Sequence, residues 1–259
     1  MNISLTQFGE IPQSLLHEIS SLITGFYKTL GEPMGGSVNL EIFEKAEEEQ
    51  FFATHDALEG KPRIRVYVNN LLELPKLVGL AGIRRQVVHS ILHGSLKFYL
   101  IKFPDVLKKA IHQYRLSYDS GNSLLYSIGM AAKEYEATKF LCSRSFVDEQ
   151  VAYAKYIMEP SGEDVLAWEI ASTNRLQKVL YLAALIRDIS CAVPLVYDER
   201  FGDEIRQYVE KKLVHVGPVP QSITQSIIYE KFGLLGADTF ENINLIAELV
   251  TQGILVHAL

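Results

Sequence analysis

The sequence predicts a mainly helical α+β fold, in which a small N-terminal β-sheet packs on a central helix and a helical C-terminal part follows. Two observations place the sheet at the start of the chain: Ser37 to Phe43 alternates apolar and polar residues, and Ile64, Val66 and Val68 interleave with Arg63, Arg65 and Tyr67. A third places helices after it, because apolar residues recur at helical spacing from Gly82 onward. With 259 residues, 48% of them hydrophobic and 22% charged, the chain is long enough to bury a substantial core.

Taken in order, residues 11–30 form an amphipathic helix with Leu15, Ile19, Leu22, Ile23 and Phe26 on one face, ended by the turn from Gly31 to Gly36. The first strand follows, and then the acidic run Glu44 to Glu49, read as a solvated loop or short helix. Glu59-Gly60-Lys61-Pro62 opens the second strand and Asn69-Asn70 closes it. Leu71 to Gly82 leads into the central helix, which is expected to run through Tyr99 and to end before Pro104. Asp105 to Tyr118 reads as a helix, Asp119-Ser120-Gly121-Asn122 as a loop, and Ser127 to Phe146 as a helix again. The rest is helical: one long segment from Gly162 to Ile189 stopped by Pro194, another from Gly202 to Leu213, and two shorter ones beyond Gly217-Pro218-Val219-Pro220. This divides the chain into an α+β domain over 1–150 and a helical region over 151–259, either separate or a continuation of the same domain. Ala192 to Asp198 is a weaker alternative break.

The totals exclude several classes. A net charge of -6 argues against a nucleic-acid surface. No apolar run is long enough to span a bilayer, and the N-terminus lacks a signal-peptide pattern. Cys142 and Cys191 form no CxxC pair, so neither a disulfide framework nor a thiolate zinc site is expected. A cytoplasmic location is the expectation from these features together.

The chemistry is concentrated in Gly82-Ile83-Arg84-Arg85-Gln86-Val87-Val88-His89-Ser90-Ile91-Leu92-His93-Gly94-Ser95. Val87, Val88, Ile91 and Leu92 make an apolar stripe, and Arg85, His89 and His93 stand four apart on the other edge, one above the next. Further on, Glu134-Tyr135-Glu136-Ala137-Thr138-Lys139-Phe140 offers carboxylates on another helix.

From Ile64 to Phe146, about a third of the chain, this order of strand, connection, helix, loop and Glu-bearing helix resembles the gluzincin-type zinc metallopeptidases. In their HExxH motif two His bind zinc and the Glu between them activates its water, with a Glu from a later helix as third ligand. Small bacterial and archaeal members often continue the motif with an apolar pair and His-Gly, and Val87-Val88-His89-Ser90-Ile91-Leu92-His93-Gly94 is similar. The resemblance implies Glu136 as the third ligand, with Glu134 as the alternate.

In that register Arg85 stands at the first ligand position and Gln86 at the general-base position. Arg offers no lone pair and Gln cannot take a proton from water, so peptidase chemistry is not expected. A second register, His89-Ser90-Ile91-Leu92-His93, keeps two His at ligand spacing and would hold a metal with His89, His93 and Glu136, but places Ser90 where the Glu belongs. The first register fits the flanking pattern better. It implies that Arg85 supplies a positive charge in place of zinc, pairing with Glu136 or Glu134.

The expected function is therefore a catalytically impaired zincin-like protein, a binding or regulatory module for a protein or peptide partner. No cofactor, nucleic acid or membrane is expected. The alternatives are a zinc hydrolase using His89, His93 and Glu136, and a structural homo-oligomer burying apolar segments such as Ile243 to Leu255 against a copy of itself. Gly79-Leu80-Ala81-Gly82 is no phosphate loop, since the Lys-Ser/Thr pair is missing. His17, His55, His112, His215 and His257 receive no role.

Overall fold

Alternation becomes burial where the strands were expected. The computed structural model describes residues 1–46 and 51–256. In it Val38, Leu40 and Ile42 turn inward from Ser37–Phe43, as do Ile64 and Val66 from Arg63–Tyr67. Two further strands join them, giving β1 (Asn2–Phe8), β2 (Ser37–Phe43), β3 (Ala53–Asp56) and β4 (Arg63–Tyr67) in the order β1-β2-β4-β3. β1, β2 and β4 are parallel, and β3 runs antiparallel to β4 at the edge. The outward residues of β4 are not idle. Arg63 bonds Asp56 and Glu59, and Arg65 bonds Glu41 and Asp56, so opposite charges face each other across strands.

The chain divides into two compact units, Met1–Ile101 and Lys102–Leu259. In the first, α1 (Gln13–Leu30) links β1 to β2 and buries Leu16, Ile19, Ile23 and Phe26. After β4 come α2 (Val68–Leu72) and α3 (Lys76–Leu92), and α3 lies against β3 and β4. The small sheet packed on a central helix is thus present. That helix is shifted from its expected span, starting earlier and stopping at Leu92 rather than reaching Tyr99. Just past the stop only glycine fits, because a Cβ on Gly94 would lie 2.2 Å from the Ser90 carbonyl oxygen and 2.8 Å from Pro62 Cγ. The glycines of Gly79-Leu80-Ala81-Gly82 lie inside α3, where they admit close neighbours. A Cβ on Gly82 would sit 2.1 Å from the Phe52 ring.

The second unit is helical: α4 (Asp105–Tyr114), α5 (Tyr118–Cys142), α6 (Val147–Met158), α7 (Gly162–Ser172), α8 (Arg175–Ser190), α9 (Gly202–Leu213), α10 (Pro218–Ser226) and α11 (Thr239–Val250). The expected loop at Asp119–Asn122 is instead the first turns of α5, because Ser117 caps that helix by accepting from the Ser120 N–H. The expected single segment from Gly162 to Ile189 is two helices, since Asn174 caps α8 through the Leu176 and Gln177 amides. Residue 150, where the first domain was expected to end, lies inside α6. Of the acidic run Glu44 to Glu49, residues 47–49 fall outside the described residues. The apolar stripe from Ile243 to Leu255 is buried, with α11 lying against α4 and α5. Among the described residues no helix is long and apolar enough to cross a membrane.

Candidate functional site

α3 delivers the residues it was expected to deliver, and delivers them buried. Arg85 is 1% exposed, His89 5% and His93 0%, while Gln86 is half-buried. Burying a guanidinium is costly in itself, so a fully buried Arg is a structural commitment. Arg84 beside it lays its guanidinium over the Phe26 ring, 4.2 Å from the centroid.

His89 and His93 meet through their Nδ1 atoms at 3.1 Å. One Nδ1 must carry a hydrogen and the other accept it, so the two imidazoles share a proton between them. Their spacing is also near the ~3.3 Å that separates two nitrogens on one tetrahedral zinc. His93 ends the helix as its C-cap, its own N–H donating to the His89 carbonyl at 2.7 Å.

A third imidazole stands nearby that sequence reasoning passed over. His55 lies on β3 directly across from Ile64 of β4, whose side chain is fully buried. Opposite residues in a sheet share a face, so His55 points the way Ile64 does, and its ring centroid is 6.2 Å from that of His89. Its Nδ1 pairs with the Tyr99 hydroxyl at 2.6 Å. Burial first, and the Asp56 charge second, push the Tyr99 phenol well above its usual range. β3 is only four residues long, too short for a period-two pattern to single out His55 in the sequence.

Ser90, the residue in the general-base place of the second register, is committed elsewhere. Its hydroxyl donates to the Val87 carbonyl at 2.6 Å. A serine has one proton, so the 2.6 Å contact with the Tyr27 hydroxyl requires Tyr27 to donate and Ser90 to accept. Burial drives the Tyr27 phenol far above its ordinary value, with the Ser90 bond opposing. This chain of hydroxyls ties α1 to α3.

In the second unit, α5 carries Glu136, 9% exposed, and the half-buried Glu134. The two fall on different sides of the helix, as a spacing of two requires. Glu136 accepts from Asn242 Nδ2 at 2.6 Å on one oxygen and from Thr239 Oγ1 at 2.7 Å on the other, anchoring the start of α11 to α5. Lys133 on α5 is 4% exposed, and burial pushes its ammonium down to about 8, against the charges of Glu134 and Glu136. No motif pointed to it.

No family model matches this chain, and neither a curated protein nor a solved structure is similar to it. Among the described residues, no three His, Cys, Asp or Glu side chains are grouped so as to hold a metal ion.

Proposed function

We propose that the chain is a zincin-like protein without peptidase chemistry, serving as a binding or regulatory module for a protein or peptide partner. One observation carries this: the position of the first zinc ligand is filled by Arg85, fully buried and permanently charged. A guanidinium offers no lone pair, so this position on the helix face of His89 supplies no ligand to a metal. The neighbouring chemistry agrees. Gln86 has no basicity to activate water, and the Ser90 hydroxyl is tied to Val87 and Tyr27. Within the second unit, Glu136 has its two oxygens engaged by Thr239 and Asn242.

A second reading keeps a metal. The Nδ1 atoms of His89 and His93 lie at 3.1 Å, close to the spacing of two ligands on one zinc, and favour a site built on that pair. Even so, the general base of a hydrolase would be missing. Incubating the protein with zinc and a mixed peptide library, read by mass spectrometry, tests the proposal. Intact peptides are the expected result. New cleavage products that disappear in a His89→Ala variant would overturn it.

A further inference from the structure

We propose that β1 is a self-association edge, through which two copies of this chain join antiparallel and merge their two four-stranded sheets into one.

The argument starts from how the strand is left. β1 pairs with β2 along its full length, and among the described residues its other edge pairs with no strand. Six of its seven residues are exposed and the seventh is half-buried. An edge strand carries a row of outward N–H and C=O groups, and proteins commonly block such a row with charge, proline, a bulge or a very short strand. Asn2-Ile3-Ser4-Leu5-Thr6-Gln7-Phe8 has no charged residue and no proline, and its pairing with β2 is regular, without a bulge. The opposite edge of the same sheet is treated differently. β3 has four residues and carries the charge of Asp56, which its two Arg partners on β4 hold in place.

Side chains point the same way. Leu5 lies opposite Leu40, which is fully buried, so Leu5 belongs to the helix-covered face of the sheet, yet it is 45% exposed. The apolar face is thus unfinished at this edge. Phe8, stacked on Phe43 with centroids 4.4 Å apart, is 42% exposed on the other face.

The second copy is the occupant because the strand complements itself. Antiparallel pairing centred on Leu5 sets Leu5 on Leu5, Ser4 against Thr6, Ile3 against Gln7 and Asn2 against Phe8. Hydroxyl meets hydroxyl, the exposed leucines cover each other, and no charges collide. The contact is two-fold and closes on itself, giving a dimer rather than a fibre. A stable interface buries roughly 800 Å² per partner, and a seven-residue strand supplies only part of that. The dimer is therefore concentration-dependent rather than obligate.

Light scattering or sedimentation of the full chain over a wide concentration range tests this. The mass should rise from 29.2 kDa toward twice that value with concentration, and a Leu5→Lys variant should stay at 29.2 kDa with an unchanged far-UV spectrum. A Leu5→Cys variant decides the register, even if Leu5→Lys fails to fold. Mild oxidation should link Leu5→Cys chains into a covalent dimer. The wild type and Thr6→Cys, whose residue faces Ser4 of the copy, should stay unlinked. A single mass of 29.2 kDa at every concentration would overturn the proposal, as would a dimer in which Leu5→Cys chains do not link.

Discussion

Replacing Ser90 with alanine isolates the contact that fixes α3 against α1. The wild-type geometry is two bonds of 2.6 Å on one buried hydroxyl, donated to the Val87 carbonyl and accepted from Tyr27. Ser90→Ala leaves the Tyr27 hydroxyl buried without its acceptor, and the desolvation penalty of a stranded polar group is about 1–3 kcal/mol. Tyr27→Phe removes the donor instead. Ser90 keeps Val87, so only a net hydrogen bond of ~1 kcal/mol is lost. The two changes should therefore be unequal, with Ser90→Ala the more costly. They should also be non-additive, because adding Tyr27→Phe to Ser90→Ala removes the stranded group and recovers on the order of 1 kcal/mol. Urea unfolding of the four proteins, followed by circular dichroism, measures the cycle. Equal single costs with strict additivity would refute the reasoning and free Ser90 for another role.

Three further outcomes follow from the same geometry. Gly82→Ala drives a methyl to within 2.1 Å of the buried Phe52 ring and should destabilise by about 1–3 kcal/mol, read as a lowered Tm. Lys212 binds both oxygens of Asp164 at 2.9 Å, so Lys212→Met should lose about 1–3 kcal/mol at neutral pH. Burial raises the Asp164 carboxyl, but Lys212 and Ser161 together hold it below its ordinary range, so the deficit should shrink as acid protonates Asp164. His215, whose Nε2 meets the Tyr181 hydroxyl at 2.5 Å, is held below the ordinary histidine value by burial and by the Lys212 charge, against Asp164. Its folded value lies below its unfolded value. The unfolded chain therefore binds the extra proton, and stability is lost as pH falls below about 6.5. Thermal melts between pH 7 and 5 should slope downward with acid, and His215→Asn should flatten that slope.

What the sequence made legible was governed by one-dimensional pattern. β2 alternates strictly and keeps its expected ends, whereas β4 stops at Tyr67, short of the expected Val68, where Val68-Asn69-Asn70 opens α2 instead of closing the strand. β1 alternates too, but nearly all of it is exposed, so alternation there has no buried face to announce. β3 spans four residues, too few for a period to stand out, and His55 was lost with it. Some helix ends were not legible. No proline or turn pattern marks the stop at Leu92, where His93 is the C-cap. The turn-forming Asp119–Asn122 stretch became helix because Ser117 caps it. At the site, the four-residue spacing of Arg85, His89 and His93 was readable. The Nδ1 contact was not, nor the hydroxyl chain from Tyr27 through Ser90 to Val87, nor the grip of Thr239 and Asn242 on Glu136. The first depends on ring rotamers that spacing does not set, and the other two on residues brought together from distant positions in the chain.

The most direct measurement is the zinc content of the protein purified without chelators or a metal affinity column. The proposed reading, in which Arg85 stands where a first zinc ligand would be, predicts no zinc in stoichiometric amount, even after incubation with excess metal followed by desalting. One zinc per chain, retained through desalting and lost in His89→Ala, would contradict the account and establish the His89–His93 pair as a metal centre.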